Sequence, residues 1–181
     1  MEKYIPDIYQ KSIYTIDYSQ LWLRGIKCIL FDLDNTLIPA NKSKPTKKNI
    51  ELFKQLEEIG FKIIIFSNST SKRVKPFSSR LGVEYHASSM KPFTKNFVKV
   101  LSKYNFEVDE VAIVGDQILT DILGGNTVGI TTILVNKISN RDIIFTKLNR
   151  FFEKVIVNRL SKKDLFSRGK YYEWKMFRLR S

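Results

Sequence analysis

Short runs of apolar residues alternate along this chain with segments whose apolar residues recur every three or four positions. Such runs predict buried strands at 26–33, 61–66, 111–114 and 130–135, and a shorter one predicts a strand at 83–87. Helical spacing between them predicts helices over 46–59, over 71–81, after Lys91-Pro92 and around 119–124. Because strands alternate with amphipathic helices, the pattern predicts a doubly wound α/β fold with a parallel sheet.

The two ends of the chain depart from this alternating pattern. Residues 1–24 form an aromatic-rich lead-in, and residues 140–160 predict an amphipathic helix. The apolar side of that helix would carry Ile144, Leu148, Phe151, Phe152, Val155 and Ile156. We therefore expect a single domain, with a lead-in over 1–24, a core over 25–139 and a basic extension over 140–181.

The formal net charge of +13 favours anionic partners such as a phosphorylated substrate, acidic lipid or nucleic acid. Residues 141–181 hold twelve Lys and Arg against four Asp and Glu, so this extension carries most of the charge. Its interleaved aromatic residues suit a membrane interface and also suit RNA. A helix packed on the sheet with a solvated charged face is the third alternative.

Other features of the sequence bear on location. The single cysteine, Cys28, excludes an intramolecular disulfide. No apolar stretch approaches the roughly 18–20 residues that span a bilayer, and the first residues lack the features of a secretory signal. We therefore expect a cytoplasmic protein, located at the inner face of the membrane if the extension binds lipid.

Polar residues occur where the predicted strands end. Asp32 and Asp34 follow the first strand, Ser67 follows the second, and Lys91 and Asp116 come later. If the strands are parallel, these groups converge on one crevice. Two carboxylates one residue apart repel each other unless a cation neutralises them, and Mg²⁺ prefers such oxygen ligands. An Asp-Asn turn that merely ends a strand is the alternative for the first pair.

These side chains form a set suited to phosphoryl transfer. Asp32 would attack phosphorus and form an aspartyl-phosphate. Asp34 would protonate the leaving oxygen and then deprotonate the incoming water. Asp116 together with Asp32 would hold Mg²⁺. Ser67 and Lys91 would bind the non-bridging phosphate oxygens.

Ordered motifs give this chain a family resemblance. Four segments resemble, in order, the four motifs of haloacid dehalogenase (HAD) superfamily phosphatases: Asp32-Leu33-Asp34-Asn35-Thr36, Ser67-Asn68, Lys91-Pro92 and Gly115-Asp116. Residues 115–126 look like the fourth motif of the IIIA branch. More narrowly, the chain resembles YqeG-like bacterial proteins, which are similar to mitochondrial-type phosphatidylglycerophosphate phosphatase.

The resemblance implies a magnesium-dependent phosphatase with the roles already given to Asp32 and Asp34. It also implies a role for each of the other residues of the site. Ser67, Asn68 and Lys91 would bind the substrate phosphate. Asp32, Asp116 and the backbone carbonyl of Asp34 would bind Mg²⁺, with Thr36 and Asp121 beside the metal. For Asp121, a carboxylate favoured by a helix N-terminus is an equal alternative.

The spacing of the motifs bears on the substrate. The segments between the first and third motifs are too short for a folded cap domain, so we expect an open site. An open site suits a lipid headgroup or a phosphorylated macromolecule, and the resemblance implies phosphatidylglycerophosphate in phospholipid biosynthesis. The alternatives are a soluble nucleotide, a sugar phosphate or a phosphoprotein as substrate, or a non-enzymatic RNA- or ribosome-associated protein.

Overall fold

A parallel sheet forms the centre of the computed structural model, which describes residues 1–139 and 144–174. Its six strands in the described residues are β1 (Ile8–Gln10), β2 (Cys28–Phe31), β3 (Lys62–Phe66), β4 (Glu84–His86), β5 (Val111–Gly115) and β6 (Thr131–Val135). Their spatial order is β1-β6-β5-β2-β3-β4, and every neighbouring pair is parallel. The doubly wound α/β fold expected from the sequence is confirmed.

Helices cover both faces of this sheet. They are α1 (Tyr18–Leu23), α2 (Lys47–Ile59), α3 (Ser71–Leu81), α4 (Lys95–Tyr104), α5 (Leu123–Val128) and α6 (Ile144–Ser161), with a π-helical turn over Ile118–Ile122. Alternate residues of β2 point to opposite faces. Ile29 and Phe31 join one apolar core with α2 and α3, whereas Cys28 and Leu30 join a second core with α4.

Local chemistry explains the bounds of α2. The Thr46 hydroxyl accepts from the backbone N–H of Asn49, while Asn49 accepts in return from the backbone N–H of Thr46. Gly60 ends the helix with a φ of 115°, a conformation that glycine adopts without steric cost. Both predicted boundaries are confirmed. On the core side of this helix Leu52 is buried, whereas Ile50 is exposed.

The two ends of the described chain meet at one edge of the sheet. The lead-in supplies β1, which pairs with β6 so that Ile8 lies opposite Ile133. After α6 the chain returns to this edge, where the backbones of Tyr9 and Tyr172 exchange two hydrogen bonds of 2.9 Å. Phe166 is buried beneath this return. The described part of the extension therefore packs on the core.

One side of α6 faces away from the core. Phe151 and Phe152 are exposed, whereas Glu153 and Leu160 are buried. The predicted helix is thus present, but its most aromatic stretch faces solvent rather than the sheet. The predicted helical positions before 144 lie outside the described residues, as do the side chains of Ile144 and Leu148. No helix in the described part of the chain is both long and apolar enough to cross a bilayer.

The sheet order determines where the site lies. The strand β2 lies between β3 and β5, and the chain changes direction of winding there, which is the usual place for a ligand crevice. The segment between Asp34 and Ser67 holds one loop, α2 and β3, and the segment from Ser67 to Lys91 holds α3 and β4. Neither segment contains a cap domain, so no cap domain from these segments covers the carboxyl ends of the strands.

Candidate active site

Three buried carboxylates meet beyond the carboxyl ends of β2 and β5. Asp32, Asp116 and Asp121 each offer an oxygen within 4.8 Å of the others. The ammonium group of Lys91 lies among them and donates to Asp32 Oδ1 at 2.8 Å and to Asp121 Oδ1 at 2.6 Å. It also donates to the carbonyl of Phe66 at 2.8 Å. Distant parts of the sequence therefore supply one charged cluster.

The position of Lys91 depends on Asn68. The Asn68 side-chain oxygen accepts from the backbone N–H of Lys91 at 2.7 Å and from the Ser89 hydroxyl at 2.9 Å. Its amide nitrogen donates to the Lys91 carbonyl at 3.0 Å. The Lys91-Pro92 peptide bond is cis. Asn68, expected on the substrate phosphate, here holds the backbone of the lysine.

Asp121 reaches the cluster because Gly115 has no side chain. A Cβ on Gly115 would lie 2.2 Å from the Asp121 carboxylate carbon, closer than any real contact. The second oxygen of Asp121 accepts from the backbone N–H of Gln117 at 3.1 Å. Asp121 is therefore held between Lys91 and a backbone donor at the start of the π-helical turn.

Two hydroxyls lie beside the cluster. Thr36 Oγ1 lies 3.3 Å from both Asp32 Oδ2 and Asp116 Oδ1, so its single proton serves one carboxylate at a time. Ser67 is buried, and its hydroxyl oxygen accepts from the backbone N–H of Ser69 at 3.1 Å. This bond leaves the Ser67 proton available to a ligand oxygen.

Burial and mutual repulsion govern the charges of the cluster. Burial raises the pKa of Asp32 to about 7, against the effect of the Lys91 ammonium, and the carboxylates of Asp121 and Asp116 add to the rise. Burial likewise raises the pKa of Asp116 to about 6, against the effect of Arg150. Burial alone would lower the pKa of Lys91, but Asp121 and Asp32 outweigh it and raise that pKa. These carboxylates would gain from a further cation.

Asp34 lies in a separate set of contacts beside the cluster. Arg73 Nη2 donates to Asp34 Oδ1 at 2.7 Å and its Nε does so at 3.2 Å. The Ser69 hydroxyl donates to Asp34 Oδ2 at 2.6 Å. The sequence analysis did not identify Arg73 or Ser69, although both follow the Ser67-Asn68 motif closely.

The helix α6 contributes a further residue that sequence reasoning missed. Arg150 pairs with the Asp116 carboxylate, and its Nη1 donates to the Asp116 carbonyl at 2.9 Å. Glu153 pairs with the same nitrogen at 3.0 Å. The other Glu153 oxygen accepts from the backbone N–H groups of Ile118 and Leu119. The extension is thus joined to the cluster by a buried ionic contact.

Known phosphatases are similar to this chain in sequence. The family model for mitochondrial PGP phosphatase matches residues 1–139. "Probable phosphatase YqeG" of Bacillus subtilis is 37% identical over 160 residues, which are 88% of this chain and 93% of that protein. Phosphatidylglycerophosphate phosphatase 1 of Arabidopsis thaliana (chloroplastic/mitochondrial) is 27% identical over 173 residues. That match spans 89% of this chain but 49% of the plant protein.

The fold is also found among solved structures. A crystal structure from Streptomyces avermitilis, assigned to the HAD hydrolase family, has a TM-score of 0.51 at 14% identity. The similarity covers 60% of this chain and 71% of that one. The family model, by contrast, covers well over half of this chain. The chain therefore belongs to the mitochondrial PGP phosphatase family and is a phosphatase that hydrolyses phosphate monoesters.

Proposed function

We propose that this phosphatase works through an aspartyl-phosphate on Asp32, requires Mg²⁺ and acts on phosphatidylglycerophosphate. The observation that carries the proposal is the buried cluster of Asp32, Asp116 and Asp121 around Lys91 at the carboxyl ends of adjacent strands. In-line phosphoryl transfer needs a nucleophile, a cation and carboxylates that can bind a metal ion, all close together.

The reaction proceeds in two displacements. A carboxylate oxygen of Asp32 attacks phosphorus, and the bond to the alcohol oxygen breaks while Asp34 gives that oxygen a proton. Asp34 then takes a proton from water, which attacks phosphorus and releases Asp32 with inorganic phosphate. Lys91 and the Ser67 hydroxyl bind the phosphoryl oxygens as their charge develops. Asn68 keeps Lys91 in place for both steps.

The donor set fits magnesium. Carboxylate and carbonyl oxygens suit a hard divalent cation, and the close approach of three buried acids calls for one. Asp32, Asp116 and the backbone carbonyl of Asp34 would hold the ion, with Thr36 and Asp121 orienting these ligands. When bound, Mg²⁺ supplies positive charge that reduces repulsion between the Asp32 carboxylate and the phosphate.

The surroundings of the site support a lipid substrate. Lys91 and Arg150 both contact the cluster, and large apolar side chains within two residues of them are more than half exposed: Met90, Phe93, Phe151 and Phe152. Exposed apolar groups beside a polar site suit the surface of a bilayer. With the basic extension, they favour peripheral contact with an anionic membrane. The Arabidopsis relative is named for the same substrate.

The extension acts as part of one domain in this proposal. Tyr172 pairs with Tyr9, and Arg150 pairs with Asp116. We infer that the lead-in over 1–24, the core over 25–139 and the extension from 140 fold together. A phosphatase lacking the extension would lose contacts at both the sheet edge and the carboxylate cluster.

Phosphate release from phosphatidylglycerophosphate in mixed micelles tests the proposal. Wild type should release phosphate with Mg²⁺, stop when EDTA is added, and recover when Mg²⁺ is restored. Asp32→Asn should release none. A panel of soluble sugar phosphates, nucleotides and phosphopeptides serves as the control for substrate class. Faster hydrolysis of one of these than of the micellar lipid would overturn the lipid assignment.

A further inference from the structure

A cationic groove borders the carboxylate cluster. It has a volume of about 510 Å³ and lies between the segment that follows β6, the helix α6 and the chain beyond that helix. Four cationic side chains among the described residues line it, namely Lys137, Arg150, Lys154 and Arg168. Its volume is in the range of small-molecule sites. The reaction on Asp32 does not use this groove.

The groove retains an excess of positive charge. Among the described residues, Glu153 is the one acidic residue that lines the groove, and it is already paired with Arg150 at 3.0 Å and Arg168 at 3.5 Å. The same carboxylate also accepts from backbone N–H groups. Within the described ranges, Lys154 makes no ion pair. Arg and Lys side chains gathered in one concavity are the donors that bind phosphate oxygens.

Arg150 connects the groove to the reacting centre. Its guanidinium forms part of the groove wall and donates to the Asp116 carbonyl at 2.9 Å. A substrate whose scissile phosphate lies at Asp32 would have this groove on the Asp116 side of the cluster. Because that wall is cationic, the group that fits is an anion.

We propose that this groove binds a second, non-scissile phosphate of the substrate and so selects substrates that carry two phosphate groups separated by a short linker. The inference rests on the proposed function, since it assumes that the monoester phosphate lies at Asp32. The second phosphate could belong to a lipid headgroup or to a soluble molecule. Arg168 and Lys154 would contact it directly, and Arg150 would lie between the two phosphates.

Two soluble probes separate recognition of the second phosphate from membrane binding. One is glycerophosphoglycerol phosphate, the deacylated headgroup, which carries a phosphodiester beside its phosphomonoester. The other is p-nitrophenyl phosphate, which carries the monoester alone. The measured quantity is the ratio of kcat/KM for the first probe to kcat/KM for the second. Partial unfolding lowers both rates equally, so the ratio reports recognition alone.

A matched pair of double variants of the full chain tests the groove. Lys154→Gln with Arg168→Gln removes two positive charges from the groove, whereas Arg159→Gln with Lys162→Gln removes two exposed charges that do not line it. The groove variant should lower the ratio by about tenfold to a hundredfold, as expected when charged hydrogen bonds are lost. The control variant should change it by less than about twofold.

The outcomes separate this inference from the lipid assignment. Equal ratios in the groove variant and the control variant would refute the groove as a binding site, even if wild type hydrolyses the micellar lipid. A wild-type ratio near one would refute it as well. If the ratio falls as expected in the groove variant but wild type does not hydrolyse the micellar lipid, the groove is supported as a phosphate-binding site. The substrate is then a soluble compound with two phosphates.

Discussion

Replacing Lys91 with methionine would remove the cation that lies between two buried carboxylates. The lysine side chain is 1% exposed and donates three hydrogen bonds, to Asp32, Asp121 and the carbonyl of Phe66. Methionine fills a similar volume but leaves all three acceptors without this donor. Removing one partner of a buried ion pair costs about 3–5 kcal/mol. For a chain of this size that lowers Tm by roughly 6–20 °C.

The loss should depend on pH. The Lys91 ammonium lowers the pKa of Asp32 and so offsets part of the effect of burial. Its removal should therefore raise that pKa further above about 7. A carboxyl group with a raised pKa binds more protons in the folded protein than in the unfolded chain. Stability therefore falls as pH rises from the unfolded pKa through the folded pKa. We expect the variant to be less destabilised at pH 6 than at pH 8.

Urea denaturation in EDTA, followed by circular dichroism at both pH values, measures these changes. Lys99→Met is the matched control, because Lys99 is exposed on α4, and its loss should cost less than about 0.5 kcal/mol. The buried ion-pair reasoning fails if Lys91→Met matches that control, or if its stability deficit grows as the pH is lowered.

Three further changes test other contacts of the site and its rim. Arg73→Gln should lower kcat for p-nitrophenyl phosphate by about tenfold to a hundredfold, because the carboxylate it holds loses its position; an unchanged kcat contradicts this. Gly115→Ala would place a Cβ 2.2 Å from the Asp121 carboxylate, so urea unfolding should show a loss of about 1–3 kcal/mol, and an unmoved midpoint refutes the close packing. Phe151→Asp with Phe152→Asp should weaken cosedimentation with phosphatidylglycerol vesicles at an unchanged Tm, since both rings are exposed; undiminished vesicle binding, or binding to RNA alone, argues against membrane contact.

Much of the catalytic end of the sheet was predictable because it is encoded locally. Each of Asp32, Ser67 and Asp116 directly follows a strand whose apolar run is unbroken. Parallel strands bring such positions to one edge, so convergence follows from the strand pattern alone. The caps of α2 were predictable for the same reason, since Thr46 and Gly60 act on their own neighbours.

The remaining contacts depend on chain segments that meet only in three dimensions. Arg150 lies in a helix whose apolar pattern suggested burial of its phenylalanines, yet the helix instead buries Glu153 against backbone N–H groups. The spacing of apolar residues in this helix does not show that the Glu153 carboxylate is buried rather than exposed. The strand β1 was missed because its three residues lie in an aromatic-rich lead-in that shows no strand pattern.

The pairing of Tyr9 with Tyr172 joins residues that lie far apart in the chain, so a ribosome makes them at well-separated times. Ile8 pairs in the sheet with Ile133, so β1 cannot pair with β6 until the ribosome has made β6. Closing so long a loop is entropically expensive and slow. We therefore expect the nascent sheet to assemble outward from its central strands, with β1 docking last. Deletions that remove Tyr9 or Tyr172 would then disturb the same late step.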